Sequence, residues 1–178
     1  MPSSPRDPLL RGLAAGDEES FGRVFDRFGS RLYRAALGML GSREDAEDAV
    51  QELFVALVRW RTRLAEVDDL EAYLFVCLRH AVARRASRRT RQAQAWDPVR
   101  LAELVVDRCG AAPPAGDERL ERALQGLPAA QREVIALKID GSLTFPQIGR
   151  VLEISPNTAA SRYRYALERL RAALEEQP

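Results

Sequence analysis

Apolar residues recur every three or four positions along nearly the whole chain, whereas the alternation that marks β-strands is almost absent. This spacing places apolar side chains on one face of a helix, so the chain is predicted to be all-α. Two of the predicted buried faces consist of Phe21, Val24, Phe25 and Phe28, and of Ala46, Val50, Leu53, Phe54, Leu57 and Val58. A break near Ser30 predicts that the first of these helices is followed by a separate one.

The helical pattern dissolves between residues 96 and 117, where the stretch GAAPPAG is typical of a linker. The helices on either side predict two small helical domains, residues 1–95 and 118–178, joined by a flexible linker of residues 96–117. A chain of 178 residues has room for two such domains.

Charge is unevenly distributed along the chain, although the net charge is only +1. Acidic residues dominate SREDAEDAVQE, whereas RHAVARRASRRTR contains many arginines and no acid. Such a basic block is typical of a surface that faces phosphates, and a solvated helix end is the alternative interpretation.

Catalytic, metal and cofactor sites are not predicted. His80 is the only histidine, and Cys77 and Cys109 fit neither a disulfide framework nor a zinc spacing. A Gly-rich phosphate loop and a nucleophile–base pair are also missing from the sequence. With no signal peptide and no apolar run of membrane-spanning length, the expected location is the cytoplasm, and Cys77 is expected to be a buried apolar residue.

The segment LTFPQIGRVLEISPNTAASRYRYAL has the spacing of a helix-turn-helix. Ser155 is a good N-cap, and Pro156 suits the first position of the second helix. The inward stripe of that helix is predicted to be Ala159, Tyr163, Ala166, Leu167, Leu170 and Leu174. The opposite, polar face is then available for the major groove of DNA.

Two segments together resemble a known family. LERALQGLPAAQREVIALKIDG, with the helix-turn-helix after it, resembles region four of bacterial RNA polymerase sigma factors of the sigma-70 family. EDAEDAVQELFVALVR, followed by the arginine-ended helix, resembles region two. The pair without an intervening domain resembles the extracytoplasmic-function (ECF) group. The resemblance implies a transcription initiation factor that binds core RNA polymerase and directs it to promoters.

The resemblance also implies which residues bind. Region two would dock on the clamp coiled coil of the polymerase's largest subunit through Asp48, Gln51 and Glu52, whose spacing places them on one helix face. Melted promoter DNA at the minus-ten element would meet His80, Arg84, Arg85 and Arg88. His80 stands where the family usually has asparagine.

Region four implies contacts with double-stranded DNA at the minus-thirty-five element. Base readers would be Ala160, Ser161, Arg164 and Tyr165, with Thr158 and Arg162 near the backbone. Ala160 and Tyr165 replace basic residues that are usual in the family, which leaves Arg164 as the main base reader. The resemblance further allows an anti-sigma factor as a partner. A stand-alone helix-turn-helix regulator and a helical adaptor that never touches DNA are the alternatives.

Overall fold

The computed structural model describes residues 8–94 and 118–175, and these residues form helices and turns without strands. The helices are α1 (Pro8–Ala15), α2 (Glu18–Leu40), α3 (Arg43–Arg59), a 3-10 helix (Arg61–Glu66), α4 (Leu70–Gln94), α5 (Glu118–Gln125), α6 (Ala129–Ile135) with a π-helical extension (Ala136–Asp140), α7 (Phe145–Leu152) and α8 (Pro156–Glu175). The predicted all-α class is confirmed. The predicted linker lies outside the described residues.

Local capping chemistry determines where the first long helices begin and end. The Asp17 carboxylate accepts a hydrogen bond from the Ser20 amide at 3.0 Å, and the Ser42 hydroxyl accepts one from the Asp45 amide at 3.3 Å. Gly41 ends α2 in the left-handed conformation, with φ 67°. These caps confirm the predicted boundaries of α2 and α3 at Gly41.

The predicted break near Ser30 is wrong, because α2 continues through it as one helix of 23 residues. Phe28 and Leu32 lie on either side of the expected break and are both buried in the same core. Packing of the two flanking turns therefore outweighs the low helix propensity of Gly29. Helix α1 was not predicted, and it buries Leu10 and Leu13.

A single large core joins the two predicted domains. Buried side chains of α2 and α4 belong to the same hydrophobic cluster as those of α6, α7 and the π-helical extension. The cluster includes Leu32, Phe75, Leu78, Leu137, Ile148 and Val151. Helix α2 packs on the π-helical extension, and α4 packs on α7. A smaller cluster of Leu127, Ile135, Ala166 and Leu170 lies between α5, α6 and α8.

Three arginines add polar contacts to the same interface. The Arg31 guanidinium donates to the Gly141 carbonyl and to the Glu71 carboxylate. Arg79 Nη1 donates to the Val151 carbonyl at 3.1 Å. Arg150 Nη2 lies 2.8 Å from Asp69 Oδ2. Because these bonds join α2, α4 and the residue before α4 to the C-terminal helices and the turn at Gly141, the interface is both apolar and specifically hydrogen-bonded.

Some predicted buried positions are exposed. Phe25 is 57% exposed, Val58 is 49% exposed and Leu167 is 42% exposed. Each lies at the edge of its apolar stripe, where the packing of the described helices leaves it partly open. The Phe25 ring instead lies 5.4 Å from the Phe54 ring on the outer side of the α2–α3 pair. Periodicity assigns a face correctly but does not show how far the neighbouring helix extends over it.

Candidate nucleic-acid interface

Helices α7 and α8 fold as the predicted helix-turn-helix. The Ser155 hydroxyl accepts a hydrogen bond from the Thr158 amide at 3.0 Å, and Pro156 is the first residue of α8, so the predicted N-cap is confirmed. The two helices approach closely at Gly149, where a Cβ atom would lie 2.8 Å from the Ile154 carbonyl oxygen. This close approach gives the N-terminal turn of α8 a defined direction.

The turn between α7 and α8 contains a strained residue. Glu153 has φ 56° and ψ 42°, the left-handed conformation that non-glycine residues adopt at a cost. We expect Glu153→Gly to raise the free energy of unfolding by roughly 0.5–1 kcal/mol, because relief of strain exceeds the added backbone entropy of glycine. Thermal unfolding measures this gain. Glu153 also lies 3.9 Å from Arg79, but its side chain is largely exposed, so losing this pair costs little.

The matched control is Glu168→Gly on the exposed face of α8, where the backbone is regular helix. There the same substitution should lower stability by about 1 kcal/mol. Equal effects at the two positions would show that the turn stores no strain.

The predicted base-contacting and backbone-contacting side chains of α8 differ in exposure. Exposed are Thr158, Arg164 and Tyr165, whereas Ala160, Ser161 and Arg162 are half-buried. The Arg164 guanidinium lies over the Tyr165 ring, 5.6 Å from its centroid. The exposed part of α8 therefore combines a cation with an aromatic ring.

Arg162 lies near the carboxyl group of Glu133. Burial raises the pKa of Glu133, and the nearby positive charges of Arg79 and Arg162 oppose that rise. Arg162 is thus held near the core of the helix-turn-helix segment, whereas Arg164 projects to the surface.

A basic stripe runs along α4. His80, Arg84 and Arg88 follow one another at intervals of four residues and are all exposed, so they share one face. Arg85 is half-buried beside them and turns towards α3. Of the four residues predicted to contact minus-ten DNA, His80, Arg84 and Arg88 are therefore exposed, whereas Arg85 faces α3.

The acidic residues of α3 pair with these arginines. Arg84 Nε donates to Glu52 Oε1 at 2.9 Å. Arg85 Nη1 lies 2.8 Å from Asp48 Oδ2 and 3.6 Å from Asp45 Oδ1. The sequence did not predict these pairs, which join residues expected to bind polymerase to residues expected to bind DNA.

The outer face of α3 is partly apolar. Gln51 is exposed, and Asp48 and Glu52 beside it are half-buried. Val55 and Val58 continue the exposed face by one further turn, although Val58 was predicted to be buried. Their positions relative to Gln51, four and seven residues on, were a signal in the sequence that this face is not purely polar.

An exposed aromatic side chain lies at the start of the 3-10 helix. The Arg59 and Arg63 guanidinium groups lie 5.4 Å and 5.1 Å from the ring centroid of Trp60. Trp60 is exposed, and the sequence RWRTR shows the alternation of aromatic and basic residues. Sequence reasoning did not include Trp60 among the candidate residues.

The described residues also bear on metal binding, membrane insertion and the state of the cysteine thiol. Residues 8–94 and 118–175 contain no group of His, Cys, Asp and Glu side chains arranged to hold a metal ion. None of the helices described for this chain is long and apolar enough to span a bilayer. Cys77 is half-buried, and burial raises the pKa of its thiol, which lies beside Tyr73.

The helix-turn-helix and the basic stripe on α4 define an all-α DNA-binding protein of the transcription-factor class. Two family models narrow that class: residues 24–92 match Sigma-70 region 2, and residues 117–170 match Sigma-70, region 4. The chain belongs to the sigma-70 family of RNA polymerase sigma factors, in its ECF group.

Curated relatives agree with this family. The ECF RNA polymerase sigma factor SigK of Mycobacterium tuberculosis is 32% identical over 97% of this chain and 95% of its own length. The RNA polymerase sigma factor CarQ of Myxococcus xanthus is 31% identical over 90% of this chain and 92% of its own length. The chain is therefore a transcription initiation factor that binds core RNA polymerase and directs it to promoters. These findings do not favour the stand-alone regulator.

Solved structures confirm the fold. CnrH in complex with the cytosolic domain of CnrY matches with a TM-score of 0.67 at 24% identity, covering 96% of this chain and 97% of that chain. The sigma factor RpoE of Bartonella quintana in complex with the anti-sigma factor NepR matches with a TM-score of 0.70 at 22% identity, covering 90% and 99%.

Proposed function

We propose that α3 is the surface that docks on the clamp coiled coil of the polymerase's largest subunit, with Asp48, Gln51 and Glu52 at its centre. The observation that carries this assignment is the composition of the face. Two carboxylates and an amide lie next to the exposed Val55. A basic amphipathic helix would bury the apolar part and pair with the acidic part, as protein interfaces generally do.

The test is affinity for purified core RNA polymerase. Gln51→Arg/Val55→Arg adds two positive charges to the face without removing any carboxylate that pairs with α4. We expect affinity to fall by about 30-fold or more, since a central contact of an interface contributes roughly 2 kcal/mol.

The matched control is Asp26→Arg, which makes the same change in net charge at an exposed position of a different helix, α2. It should bind polymerase within about twofold of the wild type, as expected for an exposed position outside the interface. An equal loss in both variants would reject α3 as the docking surface.

We propose further that α4 and α8 contact the two promoter elements. Melted minus-ten DNA would meet His80, Arg84, Arg85 and Arg88, and the minus-thirty-five duplex would meet Thr158, Ala160, Ser161, Arg162, Arg164 and Tyr165. The exposure of the α4 stripe and of Arg164 supports this assignment. Trp60 is exposed and has two guanidinium groups over its ring, a combination of aromatic and basic groups that suits an unpaired base of a single strand.

The domain division 1–95, 96–117 and 118–178 is also our proposal, supported by the separate family matches on either side of the linker. A further proposed partner is an anti-sigma factor, because the sigma factor RpoE was solved with the anti-sigma factor NepR. The chain acts by binding rather than as an enzyme, and its place of action is the cytoplasm, where its polymerase and promoter lie.

A further inference from the structure

The 3-10 helix that follows Trp60 is anchored to the core by a single side chain. Leu64 is buried, whereas the other five residues of Arg61–Glu66 are exposed. Its N-cap residue, Trp60, makes no capping hydrogen bond with its side chain. A 3-10 helix also has poorer hydrogen-bond geometry than an α-helix, so so short a segment is not rigid by itself. Its direction therefore depends on what packs against Leu64.

Helix α1 provides that packing. It lies against the 3-10 helix, and its Leu10 and Leu13 belong to the same hydrophobic cluster as Leu64. Leu13 and Leu64 are both completely buried. The match to Sigma-70 region 2 begins at residue 24, so α1 precedes the residues that this match covers. A role for α1 thus has to come from its contacts.

The end of α1 makes a second contact with the same segment. Gly16 adopts the left-handed conformation, with φ 82°, and its amide donates to the Leu13 carbonyl at 3.0 Å. A Cβ atom on Gly16 would lie 3.1 Å from Arg61 Nε and 3.3 Å from Arg61 Cδ. The side chain of the first 3-10 residue therefore lies directly against the glycine, and a larger residue at position 16 would push on it.

The 3-10 helix in turn determines the surroundings of the Trp60 ring. The Trp60 amide donates to the Ala56 carbonyl at 2.9 Å, so α3 fixes the backbone of Trp60. The Trp60 carbonyl accepts a hydrogen bond from the Arg63 amide at 3.0 Å, and the Arg63 guanidinium lies 5.1 Å from the ring centroid. The 3-10 helix thus places Arg63 over the ring, and α1 places the 3-10 helix.

We propose that α1 positions the base-binding surface formed by Trp60 and Arg63, with Leu13 and Gly16 as positioning residues. Neither of these two residues touches DNA. Leu13 holds the 3-10 helix from within the core, and Gly16 leaves room for the Arg61 side chain. A binding surface needs its side chains held closely in one geometry, which the packing of supporting residues provides. This inference rests on the proposed binding of an unpaired base at Trp60.

The first test is spectroscopic and needs no ligand. The chain has two tryptophans, so Trp96→Phe leaves Trp60 as the single reporter. In this background Leu13→Ala should lower the fluorescence anisotropy of Trp60 and increase its quenching by acrylamide. The matched control is Leu32→Ala, which removes the same atoms from a completely buried position of α2 and should leave both signals unchanged. Equal changes in the two variants reject the proposal, and circular dichroism establishes that each is folded.

A second pair of variants keeps every core side chain in place. Gly16→Ala adds a methyl group against Arg61. Gly41→Ala imposes similar left-handed strain at φ 67°, but its methyl group meets the Gln125 side chain instead. We expect only Gly16→Ala to change the Trp60 signals, and adding Arg61→Ala to it should restore them. Equal changes at the two glycines, or a failure to restore the signals, reject Gly16 as a positioning residue.

The functional test uses the full chain bound to core RNA polymerase, with core polymerase alone as the background. The probes are a labelled oligothymidine and an abasic strand of the same length, which keeps the phosphates but lacks bases. We expect the wild type to prefer the strand with bases by about tenfold, the order of one base stacked on an aromatic side chain. Trp60→Ala and Leu13→Ala should both lose this preference, whereas Leu32→Ala should retain it.

The pattern of losses separates this inference from the proposed function. If Trp60→Ala loses the preference and Leu13→Ala keeps it, positioning by α1 is rejected and base binding at Trp60 stands. If Trp60→Ala keeps it, base binding is rejected, and positioning with it. An equal loss in Leu32→Ala would assign the effect to lower stability and would also reject the proposal. The expected result is a loss in Trp60→Ala and Leu13→Ala alone, with polymerase affinity unchanged.

Discussion

Gly38→Leu is expected to separate the helix-turn-helix segment from the N-terminal helices. A Cβ atom at position 38 would lie 3.1 Å from the Ala136 Cβ and 3.2 Å from Asp140 Oδ2, so the rest of a leucine side chain has no room. Overpacking of this kind costs about 1–3 kcal/mol. Helix α2 itself gains up to about 1 kcal/mol in helix propensity, so the strain falls on the interface.

Small-angle X-ray scattering measures this separation as a larger radius of gyration. The pKa of Asp140 provides a second measurement that does not depend on molecular shape. Burial raises this pKa, so opening the interface should lower it towards the usual carboxyl range. NMR titration of Asp140 follows this change.

The matched control is Gly22→Leu, in the same helix, where a Cβ atom would meet nothing within 4 Å. This variant should keep the wild-type radius of gyration and unfold at the same or a higher temperature. If Gly38→Leu also kept the wild-type radius and Asp140 pKa, the interface between α2 and the π-helical extension would not exist in solution.

Phe75→Ala is expected to have the largest effect on stability, a loss of about 3–5 kcal/mol. Phe75 is fully buried in α4 and belongs to the core that joins both segments. Its ring lies 5.8 Å from the Arg31 guanidinium, and a Cβ atom on Gly141 would lie 3.0 Å from it. Truncation therefore leaves a cavity at the point where α2, α4 and the turn after α6 meet. Urea unfolding measures the loss.

The control is Phe25→Ala, at a phenylalanine that is mostly exposed. It removes the contact with the Phe54 ring but leaves no internal cavity, so the expected loss is below about 1.5 kcal/mol. Losses of similar size in the two variants would contradict the placement of Phe75 in the shared core.

The helix ends and the helix-turn-helix could be predicted because their causes are local. The N-cap bonds of Asp17, Ser42 and Ser155 each join residues three positions apart, so the residue types alone indicate them. The same holds for the exposed stripe of α4, which depends only on helical spacing.

The predictions from the sequence that are wrong concern places where segments distant in the chain pack together. A break near Ser30 was expected between two helices, yet the core around Phe28 and Leu32 keeps α2 continuous. Val58 was expected to be buried, yet it is 49% exposed. Burial depends on which helices become neighbours, and periodicity carries no information about that.

The sequence by itself therefore determined that the chain is all-α, that it carries a helix-turn-helix, and which family it resembles. Only the tertiary structure decided that both segments share one core and that Glu52 pairs with Arg84 across 32 positions of the chain. The physical reason is the range of the interactions. Caps and stripes form within one or two helical turns, whereas ion pairs and apolar contacts between helices depend on how the whole chain packs.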